Sequence, residues 1–200
     1  MRVLAFDCSS AQGSVAVREG GEVVFAERFD SPRGRGGEFF LSLDRALRAT
    51  GRPDRIAVGV GPGSYNGLRT AVSASEALHL ATGAERVAVS SFLALPCEGE
   101  AYFALGDARG GVLVLARVVG REIQGDFRLL PPADAIAELE ADPLWPRLST
   151  SRLPLVPGTQ VVAPDAAIIG RIAESLPPAE RPLEPLYLKP AHITTPRARG

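Results

Sequence analysis

Two hundred residues, 46% of them hydrophobic and 22% charged, suffice for one large domain or two small lobes, and nothing in the composition points to disorder. A formal net charge of −1 leaves no broad basic surface for nucleic-acid binding by counterion release, so a tRNA or DNA role requires a partner. Cys8 and Cys97 are too few for a disulfide framework, and the opening MRVLAFDCSS is too weakly apolar for a signal peptide, so a cytosolic chain with reduced thiols and no membrane span is expected.

The run RVLAFD, residues 2–7, predicts a strand that stops at CSSAQG. SVAVREGGEVVFAERF then reads as two more strands joined at Glu19-Gly20-Gly21, completing an antiparallel meander. After the loop DSPRGRGG, the segment EFFLSLDRALRATG places Phe39, Phe40, Leu43, Ala46 and Leu47 on one helical stripe and closes at Gly51. RIAVGV predicts a short apolar strand, GLRTAVSASEALHLATG a helix closed by Gly83, and RVAVSS a further strand. The second helix carries Ala71, Ala74, Ser75, Ala77, Leu78 and Ala81, and small residues permit close helix approach. After Pro96 the opening pattern restarts: AYFALGDARGGVLVLARVVGREI repeats strand, Asp, small-residue turn, strand, turn, strand, so that Asp107 matches Asp7. PPADAIAELEAD predicts a short helix, LPLVPG and QVVA short strands, and PDAAIIGRIAESL a helix with Pro and Asp in its first turn. EPLYLKP is extended, and Lys189, Arg197 and Arg199 form a small basic tail. The pattern is two α/β lobes, residues 1–97 and 98–200, with duplicated beginnings and a smaller, helix-poor second lobe.

Between RIAVGV and the second helix stands the turn GPGSYNGLR. Glycine-rich strand-to-helix turns often cradle phosphate. This one matches no phosphate template: Asn66 stands where a dinucleotide fingerprint needs glycine, no Lys follows as in a Walker sequence, and Pro62 replaces the first glycine of a nucleophile elbow. The plainer reading is a tight turn in which Gly59, Gly61, Gly63 and Gly67 permit positive φ and close helix-strand packing. Asp7 with Ser9 and Ser10 is the candidate nucleotide site, since serine hydroxyls and turn amides donate to phosphate; alternatively Asp7 caps its own hairpin. Cys8 has no neighbouring cation to lower its pKa. The two histidines, His79 and His192, have neither helical spacing nor a local carboxylate for a metal site. No acid-base pair or triad stands out.

Two lobes that each open on a strand-Asp-turn-strand hairpin describe the actin, Hsp70 and sugar-kinase architecture. Within it, LAFDCSS, GVGPGSYNGLR and ALGDARGG resemble the bacterial YeaZ-type (TsaB) family of tRNA threonylcarbamoyladenosine biosynthesis. Its Asp-Thr-Ser opening, Gly-Pro-Gly-Ser-Phe-Thr-Gly-Leu-Arg turn and Asp-Ala-Arg hairpin correspond to Asp7-Cys8-Ser9, Gly61 to Arg69 and Asp107-Ala108-Arg109. PLYLKP is similar to the family's Tyr-Leu-Arg segment. SPRGRGGEFF departs from the family's His-Ser-Glu, and the second lobe is shortened in its helices. The resemblance implies the two-lobed actin-like (ASKHA, ribonuclease H-like) fold. It also implies a non-catalytic subunit that pairs with a TsaD-type paralogue, which holds the metal and ATP and forms N6-threonylcarbamoyladenosine at position 37 of tRNAs reading ANN codons. The resemblance further implies that a TsaE-type ATPase joins the assembly, that no cofactor is tightly bound by this chain, with ATP or ADP at the interface with the partner, and that tRNA is bound only through the complex. The partner, or a second copy when the chain is alone, packs on the two first-lobe helices; Phe39, Leu43, Leu47, Ala71, Ala74, Ser75 and Leu78 are the candidate interface residues. The enzyme alternative is a small-molecule kinase of the same fold, which would need a catalytic Asp and an adenosine loop in the second lobe.

Overall fold

The computed structural model describes residues 1–30 and 37–188. The atypical loop at 31–36 and the tail from Lys189, including His192, Arg197 and Arg199, lie outside the described residues.

The first sheet contains β1 (Arg2–Asp7), β2 (Gln12–Glu19), β3 (Glu22–Asp30), β4 (Arg55–Gly59) and β5 (Glu85–Val89) in the order β3-β2-β1-β4-β5. The second contains β6 (Ala101–Asp107), β7 (Leu113–Val119), β8 (Glu122–Leu130), β9 (Arg147–Ser149) and β10 (Thr159–Val161) in the order β10-β9-β6-β7-β8. In each, an antiparallel meander is followed by two strands parallel to its first member. The repeat read from the sequence is therefore a repeat of topology: Asp7 pairs with Ser14 at the end of one hairpin as Asp107 pairs with Leu113 at the end of the other.

Alternation along the strands assigns each face of the first sheet. Leu4, Phe6, Val15, Val17, Ile56 and Val58 lie on one face, against α1 (Gly37–Thr50) and α2 (Tyr65–Thr82). Val3, Ala5, Ala16 and Ala57 lie on the other, where they meet Ala166, Ile169 and Ala173 of α4 (Ala166–Ala173). The alanines bring α4 close; a Cβ at Gly170 would stand 2.9 Å from Arg18 Cδ. In the second sheet, α3 (Pro132–Leu139) buries Ala135 and Leu139 against Phe103, Leu105, Leu113 and Leu115.

Four expectations need correction. Phe40 leaves the apolar stripe: it is 52% exposed, and Phe39 takes the core position at 2%. LPLVPG is a series of turns, and β9 instead forms at Arg147–Ser149, pairing in parallel with Phe103, Ala104 and Leu105. Pro154 and Pro157 lack the N–H a ladder needs, while Leu153 and Val156 still reach the core. RVAVSS is strand only through Val89, after which Ser91–Ala94 forms a 3-10 turn. Finally, the lobe boundary at residue 97 is crossed a second time, because α4 leaves the second lobe to cover the first sheet.

Candidate functional site

Asp7 ends β1 directly against the glycine turn. Its side chain is fully buried. Oδ1 accepts from the Ser9 amide and the Ser9 hydroxyl, both at 2.7 Å, and Oδ2 accepts from Ser91 Oγ at 2.6 Å. Burial raises the Asp7 carboxyl above its ordinary value, opposed by the hydrogen bonds from Ser9 and Ser91. Ser91 Oγ also accepts from the Gly61 amide at 2.9 Å, and the Ser91 amide donates to the Gly61 carbonyl at 2.8 Å. Ser91 thus joins the first hairpin, the glycine turn and the connection between lobes. The sequence reading missed it, counting it as the end of a strand, since its partner lies 84 residues away and no spacing pattern spans that distance.

The glycines of the turn serve close approach more than unusual φ. Only Gly61 has a positive φ, +105°. A Cβ at Gly59 would overlap the Asp7 carboxylate, lying 2.7 Å from its Cγ, and one at Gly67 would overlap the Cys8 carbonyl oxygen. The Ser64 amide donates to the Ser9 carbonyl at 2.7 Å, seating the turn on the first hairpin. Ser64 caps α2, its Oγ accepting from the Gly67 amide at 3.4 Å, so the turn delivers α2 onto β1 and β4.

Of the candidate nucleotide residues, Asp7 and Ser9 are committed to this internal network, and Ser9 is 2% exposed. Ser10 is half-buried and donates to the Gln12 carbonyl at 2.7 Å. Cys8 is buried, and burial with the nearby Asp7 charge pushes its thiol up, away from a reactive thiolate. Asp107 has the opposite environment from Asp7: it is exposed and accepts the local Arg109 amide at 2.7 Å. His79 lies near the end of α2 with Nδ1 2.8 Å from the Ala84 carbonyl. Among the described residues, no three His, Cys, Asp or Glu side chains come together in a metal-binding group.

The candidate interface residues face inward. Phe39, Leu43, Ala71 and Ala74 belong to this chain's own core, Ser75 is fully buried, and Leu47 and Leu78 pack partly against the same cluster. The chain's own first sheet therefore covers the helix face that the resemblance assigned to a partner. The outward faces carry Phe40, Leu41, Asp44, Arg45 and Arg48 on α1, and Arg69, Ser73, Ala77, Leu80 and Ala81 on α2. Leu80 is 83% exposed. At the N-terminal end of α2, Tyr65 stacks on Tyr187 with ring centroids 4.9 Å apart, and the Arg69 guanidinium lies 5.4 Å from the Tyr65 centroid. Residues 185–188 therefore run past the glycine turn, where the Leu186 amide donates to the Val60 carbonyl at 2.8 Å.

Residues 43–125, from within α1 to within β8, match the family model for TsaD, tRNA N6-adenosine threonylcarbamoyltransferase. Among solved structures, an uncharacterized protein with similarity to peptidase YEAZ from Pseudomonas aeruginosa superposes with a TM-score of 0.75 at 22% identity. That likeness covers 94% of this chain and 99% of the other. YeaZ from Pseudomonas aeruginosa superposes at 0.73, again at 22% identity and with the same coverage. No curated protein sequence matches. The chain thus resembles YeaZ in fold along nearly its whole length, and its fold is the two-lobed actin-like one. No helix among the described residues is long and apolar enough to cross a membrane.

Proposed function

We propose that this chain is a YeaZ-type (TsaB) subunit of a tRNA-modifying assembly, acting without chemistry of its own by pairing with a TsaD-type catalytic paralogue. That paralogue forms N6-threonylcarbamoyladenosine at position 37 of tRNAs reading ANN codons. The observation that carries the reading is the match of residues 43–125 to the TsaD family model, a stretch that includes the glycine turn, α2 and the second Asp hairpin. The sealed environment of Asp7 supports the non-catalytic role: its oxygens accept three internal hydrogen bonds and none faces solvent. A carboxylate so placed is part of the scaffold.

The partner docks on the outward faces of α1 and α2, whose exposed Phe40, Leu41, Ala77 and Leu80 leave an apolar surface beside the charges of α1. A second copy takes the same surface when the chain is alone. ATP or ADP lies at the interface with the partner, a TsaE-type ATPase joins the assembly, and tRNA is reached only through the complex. Because the body is slightly acidic, the isolated chain binds tRNA weakly.

The test is reconstitution with the TsaD-type protein of the same genome, followed by size-exclusion chromatography and a threonylcarbamoylation assay on tRNA. The expected result is a stable heterocomplex, modification that requires both proteins, and no Mg·ATP turnover by this chain alone. Absence of a complex, with turnover by this chain abolished in Asp7→Ala, would overturn the proposal in favour of a small-molecule kinase.

A further inference from the structure

The chain passes between its lobes twice, and both crossings are pinned. In the first, residues 90–97, partners come from three separate regions. From the first lobe, Asp7 and Gly61 hold Ser91, and Ser90 Oγ donates to the Gly61 carbonyl at 3.0 Å. From the second lobe, Tyr102 Oη donates to the Phe92 carbonyl at 2.7 Å, and Arg121 Nη1 donates to the Leu93 and Leu95 carbonyls at 2.9 and 2.7 Å. From the returning chain, the Asp165 amide donates to the Ala94 carbonyl at 2.9 Å. Phe92, Ala94 and Leu95 are fully buried. At the second crossing, Ser14 Oγ donates to the Pro164 carbonyl and accepts from the Ala166 amide, both at 3.0 Å, while Arg28 pairs with Asp165 at 2.7 Å.

Domain closure by hinge bending requires a few residues free to absorb large φ and ψ changes. Turning about residues 91–95 would break hydrogen bonds to both lobes at once and leave buried carbonyls unpaired. Arg121 adds a second indication. It holds a left-handed φ of +65° in the β7–β8 turn, a conformation disfavoured for a side-chain-bearing residue, where the corresponding β2–β3 turn has Gly20-Gly21. Its guanidinium is what grips the connection. We infer that residues 90–97 are a fixed strut, so that the two lobes keep one relative orientation and do not close on a ligand as hinged two-lobed proteins do.

The test uses spin labels at exposed sites on the outer strands of the two sheets, Glu22→Cys and Asp126→Cys, with Cys97→Ser to remove the more accessible native thiol. Pulsed dipolar spectroscopy should give one narrow distance distribution, the same with and without Mg·ATP. Adding Ser91→Ala and Arg121→Gly, the latter placing glycine at a positive φ it readily adopts, should broaden that distribution while circular dichroism stays native. A broad, bimodal or nucleotide-shifted distribution in the otherwise unaltered protein would overturn the inference, whether or not the strut variant folds. A distribution equally narrow in a folded strut variant would show that these contacts do not set the lobe orientation, and would overturn it as well.

Discussion

Asp7 and Gly59 form a single packing unit, because the carboxylate occupies the space a side chain at position 59 would need. Gly59→Ala should therefore destabilise the protein by about 3 kcal/mol through overpacking against a buried hydrogen-bonded group, read as a lowered urea midpoint with unchanged slope. The Asp7 carboxyl also carries a pH signature. Burial raises it above 3.8, so the folded chain keeps a proton that the unfolded chain releases. The resulting stabilisation is fully present below pH 3.8 and is lost as pH rises through the higher folded value. Wild type should lose stability relative to Asp7→Asn as pH rises above 3.8; urea unfolding of both proteins from acid to neutral pH is the check, and a pH-independent difference would contradict it. Asp7 was legible as a special residue from its place at the end of an apolar strand before Cys8-Ser9. Ser91 was not, since serines at strand ends are ordinary and only a contact across 84 residues gives this one its role.

The helices α1 and α2 each have an inner and an outer face, and small or apolar residues occur on both. Ala74 and Leu80 separate the two cases. Ala74 is 8% exposed within the core, so Ala74→Glu should bury an unpaired charge at a cost on the order of several kcal/mol and unfold the first lobe. Leu80 is 83% exposed, so Leu80→Glu should change stability by no more than about 0.5 kcal/mol while abolishing self-association and capture of a TsaD-type partner. Thermal melts by circular dichroism and light scattering distinguish these outcomes, and a Leu80→Glu protein that associates normally would remove the α2 outer face from the interface. The helical stripes were legible because a period of 3.6 is a local property. Which stripe faces the sheet was not, because Ala71, Ala74, Ala77 and Ala81 are one residue type on two faces.

Over the whole molecule, the first lobe depends on residues far along the chain. Arg55 Nη1 donates to the Ala173 and Leu176 carbonyls at 2.6 and 2.9 Å, and Arg18 pairs with Glu174 at 2.9 Å, so the end of α4 is held on the first sheet. A fragment of residues 1–97 lacks α4 and exposes Val3, Ala5, Ala16, Ala57 and Val87. It should retain far-UV helix and strand signal, bind a hydrophobic dye, and show no cooperative melt; a cooperative melt would mean that α4 is dispensable for folding this lobe.

Local pattern was enough for the strands of the two meanders, β4 and β5, the two first-lobe helices, the glycine turn and the paired positions of Asp7 and Asp107, because periods of 2 and 3.6, turn residues and helix ends are written within a dozen neighbouring residues; β9 lay outside that pattern. The tertiary structure alone decided what each of these meets. Asp7 and Asp107 end equivalent strands, yet Asp7 is sealed under Ser91 while Asp107 is exposed. The alanine face of β1, β2 and β4 is covered by α4, which begins more than a hundred residues after the last of those strands. An apolar or polar pattern specifies that a face must be covered or a group satisfied, whereas the identity of the covering element follows from packing the whole chain, for which no local spacing exists.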